Sequence, residues 1–194
     1  MGERLRVPYE APQERRVNAI GTFFSHGKEA GRFLFETYAC VPKSRAKKPR
    51  KSLAQIAAQH GLMVTEIGVL DAMGLLAFVW KVAGRPATLA DGWRRGRPLV
   101  IVLDNYSVHK SQHVQDALPA LKAADVYLLY LPSYCPELSR IEPIWNAVKH
   151  HEMTRRSYDL LGDLKRAVDE TLQRKADDLL AAHSKPAPLL QRPA

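Results

Sequence analysis

The pattern of apolar and polar positions predicts two extended segments near the start of the chain. Residues 16–24 and 31–41 are rich in apolar, aromatic and β-branched side chains, and the polar segment 25–30 between them contains a glycine. This pattern is typical of two antiparallel strands joined by a short connection. We therefore expect a β-hairpin over residues 16–41.

The next apolar positions recur at helical spacing. Residues 52–61 predict a short helix with Ser52 as its N-cap, and residues 64–84 predict a longer helix that stops at Gly84. Residues 85–98 contain several glycines and prolines without a period, so we expect a loop there.

A strand–helix–strand unit follows this loop. The run 99–103 is apolar at every position, which fits a strand buried on both faces of a sheet. A helix disturbed at Pro119 is predicted over 111–124, and a second buried strand over 125–132. This order predicts two parallel strands with a right-handed crossover.

Helices are predicted for most of the remaining chain, over 140–153 and 157–183. The second helix carries an apolar stripe that we interpret as core packing, formed by Leu160, Leu161, Leu164, Val168 and Leu172. The fold class is therefore α/β, with a mixed sheet flanked by helices. We expect an N-terminal arm over 1–15, one domain over 16–183, and a flexible proline-rich tail over 184–194.

Composition and charge narrow the class of partner. The 194 residues include 29 Lys and Arg against 20 Asp and Glu, a formal net charge of +9. Such a surplus favours a polyanionic partner, most commonly a nucleic acid, although a basic solvated surface without a partner is the alternative. The two cysteines, Cys40 and Cys135, have no zinc-site spacing and are expected to be reduced thiols. Neither a signal peptide nor a membrane span is predicted.

The basic charge is densest in residues 42–51, within an insertion over 42–61. Six Lys and Arg side chains lie there, and we predict that they contact the DNA backbone: Lys43, Arg45, Lys47, Lys48, Arg50 and Lys51. The alternative is a solvated loop.

Two carboxylates are placed where an α/β sheet collects reactive groups. Asp104 follows the apolar run 99–103, and Glu142 lies in the segment after the neighbouring strand. The carboxyl ends of parallel strands meet at one edge, so these two side chains can converge there. Carboxylate oxygens suit hard divalent cations, which polarise phosphodiesters and generate an attacking hydroxide.

Each of these residues also has an ordinary structural interpretation. Asp104 and Asn105 could begin a turn. Glu142 could close a capping box with Ser139. His109 could be a buried, hydrogen-bonded histidine.

The motifs "RPLVIVLDNYSVHKS" and "VYLLYLPSYCPELSRIEPIWNAVKH" together resemble the catalytic domain of mariner-type DDE transposases, in the bacterial insertion-sequence branch. The likeness is strong over residues 97–150 and extends weakly to residue 16. It implies a ribonuclease-H-like fold, two Mg²⁺ (or Mn²⁺) ions, and DNA strand cleavage and transfer in transposition. By position, Asp104 matches the second catalytic carboxylate of the family and Glu142 the third, both as metal ligands, with Asn105 and His109 as positioning residues.

The resemblance also implies partners and a location. Transposon ends and target DNA would be the substrates, and a homodimer or association with a full-length transposase is expected. The protein would be cytoplasmic and nucleoid-associated in a bacterium.

The sequence departs from this family at its start. The family carries its first catalytic carboxylate on a central first strand, whereas the segment before residue 16 contains no aspartate and has no strand pattern. We therefore expect the first central strand to be missing, which would leave strand edges unpaired. The hypothesis is an N-terminally incomplete transposase with little activity alone. A non-enzymatic DNA-binding remnant or modulator of an intact transposase, and a different ribonuclease-H-like nuclease, are the alternatives.

Overall fold

The structure is a computed structural model, and it describes residues 15–41, 51–86, 88, 92–132, 135–153 and 158–184. The predicted hairpin is confirmed. Strand β1 (Arg16–Phe23) pairs antiparallel with β2 (Phe33–Cys40), with Arg16 opposite Cys40 and Phe23 opposite Phe33. Alternate side chains of the hairpin face opposite sides of the sheet, and each side packs on a different apolar cluster.

The short helix predicted over 52–61 is observed as α1 (Leu53–Gln59). Its N-cap is Ser52, as predicted, and the capping box is completed by Gln55. The predicted helix over 64–84 is wrong in its first half: a 3₁₀ turn spans Val64–Glu66, and α2 covers only Ala72–Ala83.

The reason for this difference is a competing partner for the backbone. Ile67 forms an isolated parallel bridge to Ala39, and the Gly68 N–H donates to the Ala39 carbonyl at 3.2 Å. The chain is therefore extended along the outer edge of β2. Asp71 then restarts the helix, because its side chain accepts from the Gly74 N–H.

The strand–helix–strand unit is confirmed. Strand β3 (Leu99–Leu103) pairs in parallel with β4 (Val126–Tyr130), and α3 (Gln112–Ala123) joins them, continuous through Pro119. The prediction that both strands are buried on both faces is wrong. One face, with Ile101 and Val126, is buried, whereas the other is exposed and carries Val100, Val102, Tyr127 and Leu129.

The last two predicted helices are shorter or shifted. The first is α4 (Glu142–Ala147), which continues into a π-helical turn (Val148–Glu152), and the second is α5 (Leu161–Ser184). Most of the predicted stripe of α5 is buried or partly buried, but Leu160 lies before the helix and is exposed.

Two apolar clusters hold the described elements together. The first joins both sheets to α2 and α3, through residues that include Ile20, Phe78, Ile101 and Leu121. The second packs α4 and α5 on the other face of the β1–β2 hairpin, around Phe33, Ile144 and Leu172. The described strands form two separate two-stranded sheets, so the mixed α/β class is observed without a single continuous sheet.

Several sequence-based predictions lie wholly or mainly outside the described residues. These are the N-terminal arm, the basic run up to Arg50, and the tail from residue 185. Cys40 and Cys135 are not joined in a disulfide within the described structure. Among the helices of the described ranges, none combines the length and apolarity needed to cross a membrane.

Candidate functional site

Asp104 is the first residue beyond β3, and its side chain takes part in a turn. The Tyr106 N–H donates to Asp104 Oδ1 at 3.0 Å, so the turn interpretation of this residue is correct. The side chain nevertheless remains 57% exposed. The turn engages Oδ1, and no described residue donates a hydrogen bond to the second carboxylate oxygen.

His109 holds the same carboxylate from a second direction. Its Nδ1 is hydrogen-bonded to the Asp104 carbonyl oxygen at 3.2 Å and lies 2.8 Å from Asp104 Oδ1. A backbone carbonyl oxygen only accepts hydrogen bonds, so Nδ1 is the donor. The imidazole is only 15% exposed and packs edge-on against the Tyr106 ring, with centroids 5.8 Å apart. The contact fits both interpretations of His109, as a buried hydrogen-bonded histidine and as a residue that orients Asp104.

The loop that carries these residues is tied to the end of β4. Asn105 Nδ2 donates to the Leu131 carbonyl at 2.5 Å, and the Tyr130 hydroxyl donates to the His109 carbonyl at 2.8 Å. Asn105 was singled out from the sequence, but Tyr130 was not. The register of the two parallel strands could have identified it, because Tyr130 lies opposite Leu103, the residue that precedes Asp104.

Glu142 is the first residue of α4 and is exposed. The capping-box interpretation of this residue is wrong. The N-cap is Ile141 in a helical conformation, without a side-chain cap, and Ser139 contributes only its carbonyl, which accepts from the Glu142 N–H at 3.2 Å. Within the described ranges the Glu142 carboxylate forms no hydrogen bond or ion pair, so it is available to a ligand.

Asp104 and Glu142 are each of the ligand type that a hard divalent cation prefers, and no contact between the two side chains is observed among the described residues. Asp104 offers an exposed carboxylate oxygen, Glu142 offers two, and neither group is neutralised by a lysine or arginine in the described structure. Groups of three or more His, Cys, Asp and Glu side chains arranged to hold a metal are not found among the described residues. Two carboxylates and water are a sufficient donor set for Mg²⁺, which keeps several waters when bound to proteins.

The opposite ends of β3 and β4 are fixed by an ion pair. Arg94 contacts both oxygens of Asp125, at 3.1 Å from Nε and 2.6 Å from Nη2, and the Asp125 carbonyl accepts from the Leu99 N–H. These hydrogen bonds from the guanidinium lower the pKa of Asp125, against the smaller opposing effect of burial. The two strands therefore start in register, which places Asp104 relative to Tyr130.

Of the six basic residues predicted to bind DNA, five lie outside the described residues. Lys51 is exposed, and its Nζ donates to Gln59 Oε1 at 2.6 Å. Its ammonium has further N–H donors that could contact a phosphate, so DNA binding by Lys51 stays a prediction.

Comparison with known protein families gives a match over most of the chain. A family model described as DDE superfamily endonuclease matches residues 1–165, which include Asp104, Asn105, His109 and Glu142. No curated protein and no solved structure matches the chain.

Proposed function

We propose, from the premise that this chain belongs to the DDE superfamily of endonucleases, that it is a catalytic domain of a mariner-type transposase of the bacterial insertion-sequence branch. Its reaction would be the cleavage and transfer of DNA strands. The observation that carries this proposal is the arrangement at the end of β3, where the Tyr106 N–H and the His109 ring contact one oxygen of Asp104 while the side chain stays 57% exposed.

In this proposal each site residue has a defined task. Asp104 and Glu142 would hold Mg²⁺ or Mn²⁺, which when bound in a pair polarises the scissile phosphate and lowers the pKa of the attacking water. His109 would keep the Asp104 carboxylate in one orientation. Asn105 would fix the loop against β4 through the Leu131 carbonyl.

DNA is the proposed substrate, and charge supports it. The chain has a net charge of +9, and six of its 29 basic residues lie in the run 42–51, including Lys51. Lysine and arginine contacts to phosphates release counterions, so binding should weaken steeply as salt rises. A homodimer, or association with a full-length transposase, remains part of the proposal because strand transfer joins more than one DNA end.

Cleavage and metal binding can be tested on the same set of variants. The substrate is supercoiled plasmid with Mn²⁺, and the variants are Asp104→Asn and Glu142→Gln, with Asp116→Asn as the control. Asp116 is an exposed carboxylate on α3 whose partner is Gln112. We expect both site variants to lose more than ~100-fold in nicking and to bind Mn²⁺ more weakly, since even the loss of a group that supports a metal ligand costs ~10–100-fold.

The control should nick and bind metal like the unaltered protein. Nicking that survives both site substitutions would contradict the assignment of Asp104 and Glu142. Salt-sensitive DNA binding by the unaltered protein with neither nicking nor Mn²⁺ binding would contradict the nuclease and support the alternative, a non-enzymatic DNA-binding remnant or modulator.

A further inference from the structure

Basic side chains are concentrated at the amino ends of β3 and β4, the end of this sheet opposite Asp104. They come from three segments: the turn between β1 and β2 (25–32), the loop before β3 (92–98), and the end of α3 with the residues after it (122–125). We call this surface the amino-end patch, and its cations are Lys28, Arg32, Arg94, Arg95, Arg97 and Lys122. The same segments contain two carboxylates, so together they carry a net charge of +4.

Contacts between the three segments join them into one surface. The Glu29 carboxylate in the turn is 3.1 Å from the guanidinium of Arg95 in the loop. The neighbouring Arg94 contacts both oxygens of Asp125, and the Arg95 N–H donates to the Ala124 carbonyl at 3.2 Å. The fold therefore holds the backbone of the patch in place before any ligand binds, which lowers the cost of ordering it.

The patch has more cations than its carboxylates can neutralise. Both carboxylates are already engaged by arginines. Lys28, Arg97 and Lys122 are exposed, and their side chains form no hydrogen bond or ion pair with the described residues. Arg94 also remains 67% exposed in its pair with Asp125. Like charges on one surface repel each other, and an anion bound across them would relieve this repulsion.

The composition of the patch favours a phosphate backbone over a protein partner. Protein interfaces are anchored by buried aromatic and aliphatic side chains. Of the large apolar side chains exposed on the described structure, none lies in residues 25–32, 92–98 or 122–125. Four of the six cations are arginines, whose guanidinium can bind a phosphate through two N–H groups. A DNA duplex offers one negative charge for about every 1.7 Å of its axis, so it can meet several of these cations at once.

The patch and the candidate metal site lie at opposite ends of β3. This strand (Leu99–Leu103) has five residues, which at ~3.3 Å per residue separate the two ends by about 16 Å. The exposed face of the strand between them carries Val100 and Val102, whose side chains offer no hydrogen-bond donor to a phosphate. Phosphates bound at the patch are therefore separate from a phosphate that reacts beside Asp104.

We propose that the amino-end patch binds the sugar–phosphate backbone of duplex DNA, independently of base sequence and of metal. This adds a binding surface to the run 42–51 and the metal site of the proposed function. The choice of DNA over RNA rests on that proposed function, whereas the phosphate chemistry follows from the patch itself. Its contacts lie away from the reacting phosphate, so they contribute to affinity and not to the chemical step.

Fluorescence anisotropy of a labelled DNA duplex of arbitrary sequence, in buffer with EDTA, tests this proposal. The test variant is Lys28→Gln with Arg97→Gln, and the control is Arg166→Gln with Arg174→Gln, which removes the same charge from exposed positions of α5. Each lost phosphate contact should reduce the slope of log K against log salt by ~0.9, so the test variant should lose ~1.8. Between 50 and 200 mM salt the unaltered protein should then lose about 12-fold more affinity than the test variant. The control should keep the slope of the unaltered protein.

An unchanged slope for the test variant, or an equal change in the α5 control, would overturn the proposal. Tighter binding of an RNA duplex of the same sequence would overturn the choice of DNA. Weaker binding of polyglutamate by the test variant, without a change in DNA binding, would instead identify an acidic protein as the partner. Asp104→Asn and Glu142→Gln should leave the slope in EDTA unchanged, whatever they do to nicking and Mn²⁺ binding, so the two proposals fail separately.

Discussion

The hydroxyl of Tyr130 provides a direct test of how the candidate site is held. It donates to the His109 carbonyl at 2.8 Å and is partly buried. Tyr130→Phe removes this hydrogen bond and leaves the ring in place. The net contribution of a neutral hydrogen bond of this kind is about 0.5–1.5 kcal/mol, so we expect the free energy of unfolding to fall by about 1 kcal/mol.

Urea denaturation followed by circular dichroism measures this change. With a slope of ~1–3 kcal/mol per molar urea, a loss of that size lowers the midpoint by about 0.3–1 M without a change in slope. The matched control is Tyr127→Phe on the same strand. Tyr127 is exposed, and its hydroxyl makes no hydrogen bond to the described residues, so its removal should cost less than about 0.5 kcal/mol.

A second measurement separates a role in the site from a role in stability alone. If Tyr130 holds the loop, its loss should also speed amide exchange over residues 104–110 and weaken Mn²⁺ binding at Asp104, whereas the Tyr127 control should change neither. Equal midpoint shifts for the two variants would refute the reasoning. So would a destabilised Tyr130→Phe protein with unchanged exchange in the loop.

Two further predictions concern the strands and the long helix. The Arg94 guanidinium lowers the pKa of Asp125 below its ordinary 3.8, so this carboxylate stabilises the fold above that pH, and the contribution is lost as the pH falls through the folded-state pKa. Unfolding measured from pH 6 to pH 2 should therefore show a smaller acid loss for Asp125→Asn; an unchanged profile would contradict the pair. In α5, Leu172→Ala should destabilise by about 2–5 kcal/mol because Leu172 is fully buried, while Leu180→Ala on the exposed side should cost well under 1 kcal/mol. Comparable thermal shifts for the two leucine variants would refute the packing of α5 on the hairpin.

Local patterns in the sequence were sufficient to predict most elements. The apolar and β-branched segments of β1 and β2, the Ser52 cap of α1 and the strand–helix–strand order around α3 are all patterns among neighbours in the chain. The prediction over 64–84 was wrong because Ile67 and Gly68 pair with Ala39 of β2, a contact 28 residues away in sequence. Long-range pairing of this kind leaves no periodic signal.

The site shows the same division between local and distant contacts. Asp104, Asn105 and His109 share one short segment, and their grouping was expected. Tyr130 reaches this segment from the next strand, and only the register of the parallel pair reveals it. The sequence also could not show that Ser139 does not cap the helix that begins at Glu142. A Ser-x-x-Glu motif permits a capping box but does not require one.

Asp104 and Glu142 differ in the side-chain conformational entropy that they would lose on binding a cation. Asp104 has one oxygen fixed by the Tyr106 N–H and His109, so most of its rotamer entropy is already lost in folding. Glu142 has no such contacts within the described structure, and its longer side chain still has its rotamers to lose, at a cost of about 0.5–1.5 kcal/mol. In the proposed site, a cation would therefore lose less free energy to the ordering of Asp104 than to the ordering of Glu142. Affinity should depend more on how Glu142 is restrained than on any change at Asp104 that preserves its carboxylate.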